Sequence, residues 1–213
     1  MTQKDKGPFV IALTGLPSSG KGEAARALVE LASLRGWRAA QLTFSDQIKE
    51  EARRRGMPDS AFNRDVLSRM GIEMREAEGP GVLAARIIRR IRDWPEPRPD
   101  VFIADGMRHP GEFETLADFF GDRLLLAAIE SDPAEIARRL LARGRADESP
   151  EAMQSEAGAI RLLEQELHGK LNALGPNVGR CMDLADVRVP NHGTLEELRR
   201  NAAALLDSLD VRR

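Results

Sequence analysis

The stretch FVIALTGLPSSGKGEAARAL, residues 9–28, decides how the rest of the chain is read. Six mostly apolar residues of strand character come first, then a glycine-rich turn, then a run of helix formers. Gly15, Gly20 and Lys21 complete a G-x-x-x-x-G-K pattern. That pattern between a strand and a helix is the setting of a phosphate-binding loop. Glycines permit backbone geometries that a side chain would block. The loop N–H groups and the helix N-terminus then face an anion. Lys21 sets a positive charge against the β- and γ-phosphates of a nucleotide. The bland alternative is a glycine-rich structural turn. Gly22 stands where such loops usually carry the Ser or Thr that holds Mg²⁺, so any metal is held by other groups or through water. Pro17, Ser18 and Ser19 lie within the loop and Glu23 follows it. The two serines either touch phosphate or are simply small turn residues.

Working outward, apolar strand-like runs recur at 38–44, 101–105, 123–130 and 186–190. Helical patterns fill the intervals. One runs from the loop to Gly36, one from Asp46 to Gly56, and a pair is split at Gly79–Gly81. Another has Asp132 as N-cap, Pro133 at the first helical position and Gly144 as its stop. The last opens with Thr194 and Glu197 as a capping box. Strands alternating with helices predict a three-layer α/β/α sandwich around a five-stranded parallel sheet. One domain is expected over 1–213. Its core is 8–143 and 184–210, with helices at about 46–93 and a lid with a helical segment at about 144–180. The polar run 143–157 reads as the mobile part of that lid.

Composition narrows the function classes. A net charge of −2 gives no global case for nucleic acid or an anionic membrane. The one basic stretch that argues otherwise is RIIRRIRDWPEPR, residues 86–98. Five lysines against 27 arginines reflect either coding bias or bidentate phosphate binding. Cys181 is the only cysteine, so a disulfide within the chain is impossible and Cys181 reads as a packing residue. No signal-peptide pattern and no 18-residue apolar run occurs, so a cytoplasmic protein, monomer or homodimer, is expected.

Further blocks carry a family resemblance. They are SGKGEAARAL (19–28), FSDQIKEEARRRGMP (44–58), EMREAEGPGVLAARIIRRI (73–91), FIADGMRHPGEFE (102–114), RLLARGRADE (139–148) and LADVRVPNHGTLEEL (184–198). In this order they resemble a poorly characterised archaeal-type family of P-loop proteins, similar to adenylate kinases and dephospho-CoA kinases. The resemblance covers most of the chain and departs most at 155–180. It implies ATP and Mg²⁺ as cofactors and phosphoryl transfer to a small acceptor. A nucleoside or deoxynucleoside monophosphate leads. A hydroxyl acceptor, an NTP-binding regulator and a nucleic-acid-modifying kinase are the alternatives.

Specific residues then take expected roles. Asp46, after the second strand, orients or deprotonates an acceptor, binds metal through water, or is only the acid of a helix N-terminus. Asp105 ends the third strand in a Walker-B-like position and binds metal through water, or caps the turn before Gly106. Arg108 reaches the acceptor's anion or pairs with Glu112 at i+4. The resemblance makes Arg75 the acceptor-phosphate arginine and Arg53 a weaker candidate, with solvated helix faces as the alternative. It makes Arg143 and Arg145 lid cations that close over the transferred group, with Arg139 in reserve. Asn191 and Gly193 fall in the loop that passes near the adenine.

Overall fold

In a computed structural model of the chain, residues 7–143, 155–169 and 173–210 are described. Five strands form one sheet: β1 (Phe9–Thr14), β2 (Ala39–Thr43), β3 (Val101–Met107), β4 (Leu124–Glu130) and β5 (Val187–Pro190). Their order is β2-β3-β1-β4-β5 and every pairing is parallel. The phosphate-loop strand β1 is therefore central, flanked by β3 and β4. The expected five-stranded parallel sandwich is the observed fold.

Alternation along the strands explains the two layers of helices. Val10, Ala12, Phe102, Ala104, Leu124 and Leu126 face one core. Ile11, Leu13, Val101, Ile103, Leu125 and Ala127 face the other. Successive side chains of a strand point to opposite faces, so a strand buried on both reads as a continuous apolar run. The first face is covered by α2 (Phe44–Arg54), α4 (Val82–Arg92) and α5 (Pro110–Phe120), which bring Phe44, Ile87 and Leu116. The second is covered by α1 (Lys21–Leu34) and α9 (Leu195–Asp210), through Leu28, Leu198 and Leu205. A third, smaller cluster joins α6 (Pro133–Arg143), α7 (Glu156–His168) and α8 (Val178–Asp183) around Ile136, Leu140, Leu163 and Val178. Cys181 is buried in the first core, where desolvation pushes its thiol pKa well up, as suits a packing residue.

Two local readings change. The helix expected from residue 61 begins three residues later, as α3 (Arg64–Glu78), after a short 3₁₀ turn at Asp59–Ala61. Asn63 caps α3 by accepting from Val66 N at 2.9 Å, and a cap fixes where a helix starts. Helix α5 has no counterpart among the sequence patterns. Its N-cap is His109, whose Nδ1 accepts from Gly111 N at 3.1 Å. Histidine is outside the usual capping set. Among the described residues no helix is long and apolar enough to cross a membrane.

Candidate functional site: a phosphate loop beside a cationic cavity

The loop between β1 and α1 is held by contacts that no local pattern announces. Gly20 is the N-cap of α1 with φ 100°, and a side chain there would be strained. A Cβ on Gly20 would also come within 2.2 Å of Asn191 Nδ2. That amide donates to Ser19 O at 2.8 Å, so the segment after β5 clasps the loop from behind. Asn191 N in turn donates to Glu130 O at 2.6 Å, at the end of β4. The Asn191 side chain thus holds the loop, and the residue also lines a hollow beside it. A Cβ on Gly15 would meet Ile129 O at 2.5 Å, which explains glycine there.

Lys21 Nζ donates to Gly15 O and Leu16 O, each at 2.8 Å. The ammonium is enclosed, although part of the residue remains open to the cavity. Burial, and then the nearby Arg108, lower its pKa to about 7. Opposite lies Asp105, held at the mouth of β3 by a register shift. Leu13 pairs with Asp105 and Thr14 with Met107, and Gly106 at φ 91° takes up the extra residue. Burial raises the Asp105 pKa; Lys21 and Arg108 oppose that. Its Oδ2 accepts from Gln41 Nε2 at 3.3 Å, while Oδ1 is buried without a partner. Ser19 Oγ is likewise buried without a partner. Unpaired buried polar atoms are costly, and they cluster where a ligand or ion completes them. The loop, Lys21 and these two oxygens fit nucleotide phosphates with an attendant cation. Among the described residues, no group of three or more His, Cys, Asp or Glu is placed to hold a metal by itself.

A phosphate chain settling on Lys21 restores its positive charge. Nucleotide binding at pH 8 is therefore expected to take up a proton, because a group with pKa near 7 is mostly neutral there and rises on meeting an anion. Calorimetry of ADP binding in buffers of different ionisation enthalpy measures this. Uptake that persists in Lys21→Ala would show that another group is responsible.

A cavity of about 410 Å³ opens from Lys21 toward the ends of β2 and β3. Its wall includes Arg64, Arg75 and Arg108, Asp105, and the apolar Phe44 and Leu67. Arg75 is buried on α3 and donates to Glu112 Oε1 at 2.6 Å and to Leu174 O at 3.2 Å. Glu112 also accepts from Arg108 N at 2.9 Å and His109 N at 3.1 Å. The predicted link between residues 108 and 112 thus exists through the backbone, and the Arg108 guanidinium turns instead to Glu166 on α7.

Two candidates stand outside the cavity lining, in the places their plainer alternatives give them. Asp46 does not line the cavity: it lies in the first turn of α2, exposed, with Lys49 Nζ at 3.3 Å. The N-cap is Thr43, whose Oγ1 accepts from Asp46 N, and the Asp46 carboxylate pairs with Lys49, which does line the wall. Arg53 also stands away from the cavity, exposed, with Nε at 2.8 Å from Asp59 and its guanidinium over the Phe62 ring. The side chain of Arg143 and all of Arg145 lie outside the described residues. Arg139 lines a second cavity of about 380 Å³ with Ser18, Glu23, Asn191, Gly193 and Leu198. This hollow shares Ser18 and Gly20 of the loop with the first cavity. Arg64, Gln41 and Glu166 escaped the sequence reading. Arg64 follows a readable N-cap at Asn63, but nothing local distinguishes it from the other arginines.

This geometry defines a class, a P-loop α/β/α fold with a deep cationic pocket beside the loop. A family model described as "AAA domain" matches residues 14–154. The chain is 32% identical over 204 residues to a UPF0200 protein of Methanoculleus marisnigri, covering 95% of this chain and 98% of that one. The chain belongs to the AAA domain family and to the UPF0200 family. In fold it is similar to shikimate kinase from Bacteroides thetaiotaomicron, at TM-score 0.60 and 14% identity over 95% of this chain and 98% of that one. A gluconokinase from Sinorhizobium meliloti aligns at TM-score 0.54 and 17% identity, covering 96% and 94%.

Proposed function

We propose that this protein transfers the γ-phosphoryl group of ATP, with Mg²⁺, to a small acceptor that already carries a phosphate. A nucleoside or deoxynucleoside monophosphate is the leading case. The observation that carries the reading is the wall of the 410 Å³ cavity, where Arg64, Arg75 and Arg108 stand beside Lys21. Asp46, the carboxylate best suited by sequence to deprotonate a hydroxyl, is absent from that wall. An ionised phosphate oxygen needs no base: it forms the new P–O bond as the β,γ-bridging bond breaks and ADP departs. Mg²⁺ bound with the nucleotide would supply charge neutralisation, and Asp105, through water, and Ser19 are the side chains that would hold it. Lys21 holds the β- and γ-phosphates, and the loop N–H groups align them. Arg139, Arg143 and Arg145 are assigned to closure over the transferring group, and Asn191 and Gly193, which line the second cavity, to the nucleoside. The adenylate-kinase-like subtype is part of this proposal.

A second reading has one observation in its favour. Asp105 has an unbonded buried oxygen and a raised pKa, so it is equipped to take a proton from a hydroxyl acceptor. ADP release from Mg-ATP separates the two readings, measured across ribo- and deoxynucleoside monophosphates, dephospho-CoA and unphosphorylated polyols. Stimulation by a monophosphate that survives in Asp105→Asn at reduced rate supports the first. Stimulation confined to unphosphorylated hydroxyl compounds overturns it. Slow hydrolysis that no acceptor accelerates favours an NTP-binding regulator.

A further inference from the structure

Gln41 and Asp105 stand on neighbouring strands and on one face of the sheet. Strand β2 runs parallel to β3, with Gln41 beside Ile103 and Thr43 beside Asp105. Ala39 of β2 and Val101 and Ile103 of β3 pack into the core beneath α1. Alternate residues of a strand share a face, so Gln41 and Asp105 also point to the α1 side. The Gln41 side chain leans one pair further along the sheet, and its Nε2 donates to Asp105 Oδ2 at 3.3 Å. Asp105 Oδ1 is buried and has no hydrogen-bond partner among the described residues. Both residues line the larger cavity, together with Lys21 and Gly22.

We propose that Gln41 is a positioning residue: it holds one oxygen of Asp105 so that the other is presented to the cation that accompanies the nucleotide phosphates. This rests on the reading above in which Asp105 holds Mg²⁺ through water, and it adds the residue that fixes that carboxylate. The direction of the bond supports it. Asp105 stands between Thr43 of β2 and Leu13 of β1. Tying Oδ2 to the β2 side leaves Oδ1 for the β1 side, from which the phosphate loop springs. The chemistry of the donor supports it too. A carboxamide N–H fixes a carboxylate without cancelling its charge, whereas a lysine or arginine at 41 would form an ion pair and weaken its pull on a cation. Gly22 adds to the demand on Asp105. A Cβ there would meet no described atom within 4 Å, so the place of the usual hydroxyl ligand is open space. With no hydroxyl at 22, the cation depends more heavily on the carboxylate across from it. An unfixed aspartate spreads over several rotamers. The Gln41 bond selects one before the ligand arrives, which lowers the ordering cost of binding.

Calorimetry of ADP binding, in EDTA and in saturating Mg²⁺, tests this without turnover. The ratio of the two affinities measures how well the protein holds the cation. Wild type is expected to bind ADP more tightly with Mg²⁺. Gln41→Met keeps the length of the side chain and removes the donor. It is expected to cut the ratio at least about threefold, the size of one lost hydrogen bond, with the affinity in EDTA unchanged. Gln41→Asn keeps the amide but is one methylene short, and is expected to do the same. Asp105→Asn is expected to cut the ratio further. Adding Gln41→Met to Asp105→Asn is then expected to change nothing more, because the glutamine acts through the carboxylate. A purely structural Gln41 would instead lower the melting temperature and leave the ratio alone, which overturns the positioning role. A loss in the double variant equal to the sum of the single losses also overturns it. A wild-type ratio in Asp105→Asn overturns the assignment of the cation to Asp105, and the role of Gln41 with it. Failure of ADP itself to bind overturns the phosphoryl-transfer reading.

Discussion

Lys21→Met is expected to give a folded protein whose ATP turnover falls by at least about a hundred- to a thousandfold, the loss seen when one charge-stabilising donor is removed from a transfer site. Methionine keeps the length and apolar stem of lysine and drops the charge. In the free protein Nζ bonds only the Gly15 and Leu16 carbonyls, so no buried carboxylate is orphaned by its removal. The fold should tolerate the change well. The wild-type lysine has a pKa of about 7 in place of 10.5, so between those values the unfolded chain binds more protons and stability rises with pH. Below pH 7 the charged lysine is a burden to the folded state. Lys21→Met is therefore expected to melt no lower than wild type at pH 6.5, and to lose the rise between pH 7 and 10. Unfolding followed by circular dichroism at several pH values, with ADP release measured on the same samples, checks both halves. Undiminished turnover in a folded Lys21→Met would end the assignment of this loop to nucleotide phosphates.

The second large effect falls on stability. Glu112→Ala is expected to destabilise by about 3–5 kcal/mol, the usual result of breaking a buried ion pair from one side. Glu112 is fully buried and serves three donors at once: Arg75 Nη2, Arg108 N and His109 N. Its loss leaves the Arg75 guanidinium, itself buried with Nε already unpaired, without a counter-charge. It also removes the capping box at the start of α5. In a chain of this size the melting temperature should fall by roughly 10 °C. Replacing both partners by apolar residues, Arg75→Met with Glu112→Leu, should recover much of that loss, because two desolvated charges disappear together. A Glu112→Ala protein within about 0.5 kcal/mol of wild type, the range of an ordinary surface change, would show that water reaches Arg75 and that the pair is not a buried one.

Much of the fold is legible in short stretches. FVIALT followed by GLPSSGKG states a strand, an anion-binding turn and a helix start within twenty residues, and the structure has β1, the loop and α1 there. The other strands are visible as apolar runs because a strand buried on both faces needs no polar alternation. Where the local signal fails, the reason is local too. Helix α5 begins on a histidine cap, and the Asn63 cap moves the start of α3 from residue 61 to residue 64, after the Asp59–Ala61 turn.

The site divides along the same line. Gly15, Gly20, Lys21 and Asp105 stand out in the sequence because their placement depends on backbone close by, a loop and a strand end. Arginine is harder, since one side chain serves equally as a solvated face, an ion pair or a ligand for phosphate, and neighbours in sequence do not say which. Arg53 is spent on Asp59, Arg75 on Glu112, and Asp46 on Lys49. Asn191 is committed to Ser19 O from 172 residues away. Glu166 meets Arg64 and Arg108 from 102 and 58 residues away. Strand and loop identity follow from propensity and periodicity over a few turns of chain, so the sequence alone determined the sheet and the phosphate loop. Which charged groups converge is decided by how helices dock on the two faces of that sheet, and only the tertiary structure determined that.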